Sequence, residues 1–171
     1  MKKILTLFAV VGLFAFSGCS DDNVDDFDDD TIPFVFDVTG VSFGANGEGI
    51  VQNFNSAIYS GDVILVYRQT GLINGNRIWS PIPESHYYDN GSLYFTYKFN
   101  FSQDDFEIYL DGFELNTIPN DLRANQTFRI VIVAGDDGIN TQKSTVKPDY
   151  SDYNEVIKKY NIDDSNVRKL N

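Results

Sequence analysis

One cysteine, one histidine and 25 carboxylates are the groups with which this 171-residue chain could do covalent, acid–base or metal chemistry. The cysteine, Cys19, has no second thiol to pair with, so no internal disulfide and no cysteine-based zinc or redox centre is expected. The histidine, His86, stands in Pro83-Glu84-Ser85-His86-Tyr87-Tyr88. A serine nucleophile needs its base and acid to converge in space, and adjacent residues on a strand point to opposite faces. His86 therefore reads as a surface or hydrogen-bonded histidine, and no catalytic residue is assigned. Zinc and copper sites would lack ligands, and neither GxGxxG nor GxxxxGKS or GxxxxGKT occurs to cradle a phosphate. No cofactor and no metal is expected.

Carboxylates are a separate case, because a glycoside hydrolase needs only two of them, about 5 to 9.5 Å apart. Asp104-Asp105, Asp111, Glu114 and Asp136-Asp137 all stand beside turns, where solvated acidic groups are ordinary. A carboxylate-dependent surface hydrolase is accordingly the alternative function. Asp136-Asp137-Gly138-Ile139-Asn140 reads as a turn, with calcium binding as its alternative.

Aromatic residues make up 15% of the chain, and flat rings on a sheet are one way to hold a sugar. Tyr94 and Tyr109 fall on outward positions of their strands. With Trp79 they are the candidate ligand-binding residues, and Tyr87 and Tyr88 are nearby in sequence. The ordinary role of such tyrosines is cross-strand pairing or cover by a helix.

The elements that would position these groups are strands. Leu93 to Phe101 alternates Leu93, Phe95, Tyr97, Phe99 and Phe101 with Tyr94, Thr96, Lys98 and Asn100, the pattern of a half-buried strand. Asp105 to Leu110 repeats it, with Phe106, Ile108 and Leu110 inward, before Asp111-Gly112 is expected to turn the chain. Val63 to Tyr67 and Phe128 to Val133 are apolar nearly throughout, which predicts central strands covered on both faces. Phe34 to Val38, Ile50 to Phe54 and Arg77 to Trp79 supply three more. Asn46-Gly47, Asn74-Gly75 and Asn90-Gly91 are turn signals. The spacing predicts an all-β fold, a single antiparallel β-sandwich of about seven strands. One short C-terminal helix follows: Asp152 and Glu155 form a capping-box-like start, and Tyr153, Val156, Ile157 and Tyr160 make one apolar stripe. At about two turns it must dock, and an end or an edge strand of the sandwich is where it is expected.

The N-terminus reads as an address. Met1-Lys2-Lys3 precedes an uncharged apolar stretch of about 13 residues, Ile4 to Phe16, which fits a signal peptide and is too short to span a bilayer. Phe16-Ser17-Gly18-Cys19 resembles the lipobox of bacterial lipoproteins, although Phe16 departs from its usual aliphatic residue. The resemblance implies lipidation of Cys19. Ser20 to Asp30 then carries seven aspartates and no basic residue, an extended and solvated tether. Ser20, Asp21 and Asp22 resemble the export signal of Bacteroidota lipoproteins, which implies an outer-membrane location facing the exterior. A plain spacer and a loose calcium-binding strip are the alternatives. The chain thus divides into a signal peptide (1–18), lipidated cysteine and tether (19–31), sandwich domain (32–150), and C-terminal helix and tail (151–171).

With 13 basic against 25 acidic residues and a net charge of −12, the chain is not a general nucleic-acid binder. From Thr31 onward acidic residues outnumber basic ones by 18 to 11, so the domain itself is moderately acidic. Asp62-Val63-Ile64-Leu65-Val66-Tyr67-Arg68, Trp79 with Pro83, Leu110-Asp111-Gly112 and Asn125-Gln126-Thr127-Phe128-Arg129-Ile130-Val131 resemble a group of small Bacteroidota lipoproteins. That resemblance implies a compartment and an architecture, and it carries over no functional residues. The expected partners are the membrane, through the N-terminal lipid, and a glycan or another envelope protein. The expected function is a surface-displayed binding or structural module.

Overall fold

The computed structural model describes residues 34–134 and 149–170. Cys19, Ser20-Asp21-Asp22, the rest of the N-terminal segment and Asp136 to Asn140 lie outside the described residues. The elements are β1 (Phe34–Val41), β2 (Ile50–Asn53), β3 (Val63–Ile73), β4 (Asn76–Pro81), β5 (Glu84–Tyr87), β6 (Leu93–Phe101), β7 (Asp105–Gly112), α1 (Asn120–Arg123), β8 (Gln126–Val133), α2 (Tyr153–Lys159) and β9 (Arg168–Leu170). The strands form two sheets, ordered β4-β3-β8-β1-β9 and β2-β7-β6-β5.

The period-two pattern explains how the sheets meet. Phe36, Val38, Ile64, Val66, Phe128 and Ile130 of the five-stranded sheet share one buried cluster with Phe95, Tyr97, Phe106, Ile108 and Leu110 of the four-stranded sheet. Each such side chain contributes about 1.5–3 kcal/mol by leaving water. Ring pairs Tyr97 with Phe128 (6.0 Å) and Phe36 with Phe106 (5.9 Å) cross the interface in tilted or edge geometry. The result is the all-β, sandwich-like fold that the alternation predicts.

A second buried cluster lies on the other side of the five-stranded sheet, where Tyr67, Val131 and Val133 pack against Tyr153 and Val156 of α2. β3 and β8 read as apolar throughout because both of their faces are covered. Asp152 caps the helix by accepting from the backbone N–H of Asn154 (2.9 Å) and Glu155 (3.4 Å). The helix covers this outer face, reaching Trp79 of edge strand β4, whereas an end or an edge strand alone was expected. Its apolar stripe needs an apolar floor, and the outward residues of β3 and β8 provide one.

Three features depart from the expectation. β5 and β9 are additional strands; Glu84-Ser85-His86-Tyr87 and Arg168-Lys169-Leu170 contain no apolar run to announce them. β9 also runs parallel to β1, pairing Phe36 with Arg168, Asp37 with Lys169 and Val38 with Leu170, while every other ladder among the described residues is antiparallel. Finally, Asp111-Gly112 does not turn the chain: both residues remain in β7, opposite Thr96 and Phe95. Gly112 serves close approach instead, because a Cβ there would lie 2.3 Å from the Tyr94 carbonyl oxygen. The Asn74-Gly75 signal does make its turn, both residues taking positive φ (52° and 83°) in the β3–β4 hairpin.

Candidate functional site

The register of the five-stranded sheet sets one row of side chains across its outer face. Lys169 of β9 pairs with Asp37 of β1, Asp37 with Arg129 of β8, and Arg129 with Tyr67 of β3. Paired residues share a face, so two cations, a carboxylate and a phenol stand side by side. The β3–β4 hairpin runs past the end of the β3–β8 ladder, and a bulge between Gln69 and Gly71 bends it. Its curl brings Arg77 of β4 to Asp37, three strands away in the sheet order. Between the hairpin, the row and the segment after α2 lies a cleft of about 700 Å³, lined among others by Arg77, Trp79, Arg129, Tyr153, Asp164 and Lys169.

The floor of the cleft is an ionic network. Asp37 is fully buried and accepts from Arg129 Nε at 2.7 Å and Nη2 at 3.1 Å, and from Arg77 Nη1 at 2.6 Å. Arg129 Nη1 donates to the Tyr153 hydroxyl (2.6 Å) and to Asp164 (3.1 Å), and the Tyr153 hydroxyl donates to Asp164 (2.8 Å). The Arg129 guanidinium lies 4.3 Å from the Trp79 ring centroid. Burial works against the Arg129 cation, but its hydrogen bonds to Asp37 and the neighbouring Tyr153 raise its pKa above the ordinary arginine value. The Tyr153 hydroxyl is raised by burial and by its bond to Asp164, and stays neutral.

A second polar cluster sits between the sheets. Arg68 grips Glu84 with Nε (2.9 Å) and Nη2 (2.5 Å) and donates to Gln126 (3.2 Å). His86 Nε2 lies 3.0 Å from Glu84, and its ring stacks on Phe95 at 4.5 Å. Ser85 faces the other way and bonds Thr96 at 3.0 Å, so His86 is a hydrogen-bonded histidine and forms no triad with it. Burial alone would raise the Glu84 carboxyl; the hydrogen bonds from His86 and Arg68 outweigh it and hold the pKa at about 2. A carboxylate lowered on folding stabilises the fold above its unfolded pKa and loses that contribution as pH falls through the folded one. Here the window runs from about 4.5 down to about 2. Glu84 is about one-fifth exposed, and the contribution at neutral pH is about 3 kcal/mol. Urea unfolding at a series of pH values should show wild-type stability falling across that window, and Glu84→Gln should flatten the fall. An unchanged acid limb in the variant would refute the assignment.

Of the aromatic candidates, Trp79 lines the cleft, while Tyr94 and Tyr109 belong to the opposite sheet. Tyr109 is half-buried and sits across from Lys98, four residues along β6 from Tyr94. That spacing is roughly 13 Å, so the two rings share a face but form no common patch. Tyr94 has a different neighbour: its ring stacks on Tyr88 at 4.4 Å, and its hydroxyl bonds Thr117 at 2.8 Å. The Phe113 backbone N–H donates to the Tyr94 carbonyl, extending the β6–β7 ladder by one residue. Phe113 is 67% exposed, and Tyr87 (62%) and Leu93 (38%) form an exposed cross-strand pair beside it. Tyr88, Leu93 and Phe113 thus form an apolar ledge at one end of the sandwich, rimmed by Asp89, Asn90, Ser92 and Glu114.

The flagged carboxylates are spread along β7 and its ends. Asp105 accepts from Ser102 in the β6–β7 turn beside exposed Asp104, Asp111 pairs with Lys98, and Glu114 accepts from the Tyr88 hydroxyl. Asp136-Asp137 lie outside the described residues. Among the described residues no group of three or more histidines, cysteines or carboxylates is placed to hold a metal ion, and no helix is long and apolar enough to cross a membrane. Among the residues that sequence reasoning missed are Asp37, Arg129, Arg68 and Glu84. The first two left a signal, since each is the sole charge in an otherwise apolar run and a charge so placed must find a partner. No family model matches the chain, and neither a curated protein nor a solved structure matches it.

Proposed function

We propose that this chain is a lipid-anchored protein of the outer membrane, held through Cys19 and facing the cell exterior, whose sandwich is a binding module for a glycan. The carrying observation is the ledge. Phe113 gives most of its ring to solvent, and Tyr88 is stacked and pre-set by Tyr94, so little side-chain freedom is lost when a sugar ring settles there. An exposed apolar patch with a polar rim is the usual mark of an interaction surface. Asp89, Asn90, Ser92 and Glu114 supply acceptors and donors for sugar hydroxyls around the rings. Two carboxylates in that rim favour a neutral sugar over an acidic one.

Retention of the full mature chain on immobilised neutral polysaccharides tests this reading. Phe113→Ala and Tyr88→Ala should each weaken retention about tenfold or more, the usual cost of removing an aromatic anchor. The Phe113 variant should keep its unfolding midpoint, because that side chain lies outside the core. Equal retention of wild type and both variants, or retention of neither on any polysaccharide, would defeat the proposal.

A further inference from the structure

The cleft on the outer face of the five-stranded sheet carries a separate inference, independent of the ledge. We propose that it is a second ligand site, one that takes the carboxylate of an acidic sugar. Among the described residues three cations reach this cleft, Arg77, Arg129 and Lys169, against two carboxylates, Asp37 and Asp164. In a chain with 25 acidic residues this local surplus is unusual, and the geometry shows which cations carry it.

Arg129 is spent. Its three nitrogens serve Asp37 twice and Tyr153 and Asp164 once each, and only 6% of its side chain is exposed. Arg77 is in the opposite condition. It gives one nitrogen to Asp37, its Nε and Nη2 make no hydrogen bond among the described residues, and a third of its side chain is open to the cleft. Lys169 lines the same cleft and forms neither an ion pair nor a side-chain hydrogen bond among the described residues. Parallel strand β9 sets it beside Asp37 in register, on the face that the cleft occupies. The free edge of Arg77 and the ammonium of Lys169, neither of them paired among the described residues, therefore border one concavity.

Charge selects the ligand. Three positive groups against two negative ones leave a surplus of one, which a monoanion neutralises and a phosphate dianion would overshoot. The free edge of a guanidinium and an ammonium suit the two oxygens of a carboxylate. The remaining wall suits a hydroxylated body: Asn76, Asn154 and Asn166 offer amides, Ser165 a hydroxyl, and Trp79 and Ile157 apolar surface for a ring. At about 700 Å³ the cleft is large enough for a sugar attached to its acid group, far beyond a bare anion.

Trp79 is the only tryptophan in the chain, so its fluorescence reports on the cleft. The full mature chain would be titrated with a uronate trimer that carries a single galacturonic acid on two galactoses, with the neutral trimer of galactose and with inorganic phosphate. The expected result is a saturable fluorescence change with the uronate trimer alone. Lys169→Gln should weaken it about tenfold or more, while Lys169→Arg should largely preserve it. Lys169 is exposed, so neither variant endangers the fold. A response to the galactose trimer as strong as to the uronate trimer would overturn the carboxylate assignment. Equal or tighter binding of phosphate would overturn the sugar assignment. No saturable response to the uronate trimer, or one unaltered in Lys169→Gln, would overturn the site.

Discussion

Replacing Asp37 with alanine is expected to destabilise the domain by about 3 kcal/mol or more, among the largest effects of any polar substitution in it. Asp37 is fully buried and takes three hydrogen bonds from two guanidinium groups. Arg77 can swing to water once its partner is gone, since a third of its side chain is already exposed. Arg129 has no such escape, with 6% exposed beneath Trp79 and Tyr153. It would keep only Asp164 and the Tyr153 hydroxyl, a carboxylate at the rim and a neutral group. Breaking a buried pair typically costs about 3–5 kcal/mol because the surviving charge is stranded, and Asp164 places this case at the lower end. Urea unfolding of wild type and Asp37→Ala measures the loss. Asp37→Ala combined with Arg129→Met should recover much of it, since the stranded charge goes too. A loss below about 1 kcal/mol in the single variant, or no recovery in the double, would show that the network is not a buried ion cluster.

That network also marks how far the sequence could be read. Alternation in Leu93 to Phe101 and Asp105 to Leu110 specifies which side chains enter the core, because a strand has only two faces. Phe95, Tyr97, Phe106, Ile108 and Leu110 are indeed in it. Asp37 and Arg129 were legible as charges in need of partners, but their pairing depends on β1 lying next to β8, which neighbouring residues do not encode. Lys169 was beyond reach altogether, since a three-residue parallel strand is held by backbone hydrogen bonds and leaves no hydropathy pattern. The ledge was half legible. Outward Tyr94 pointed toward it, yet the reading of Asp111-Gly112 as a turn hid Phe113. A glycine in a strand can mark close backbone approach as readily as a turn, and Gly112 lies against the Tyr94 carbonyl.

The effect with the widest range is expected at Cys19. If this thiol carries the membrane anchor, Cys19→Ala removes every acyl chain at once. Each buried methylene contributes about 0.8 kcal/mol, and a single chain gives only marginal attachment where several hold firmly. Wild-type protein should incorporate labelled fatty acid and sediment with membranes; the variant should incorporate none and accumulate unprocessed or in the wrong fraction. The seven aspartates from Asp21 to Asp30 are like charges that an anionic bilayer surface would repel. Ledge and cleft would then both be accessible to extracellular glycans. Protease added to intact cells should accordingly digest the wild-type domain while a periplasmic control survives. Fatty-acid labelling that persists in Cys19→Ala would disprove the anchor. Protection of a domain that the same protease cleaves after lysis would instead disprove the outward orientation while leaving the anchor standing.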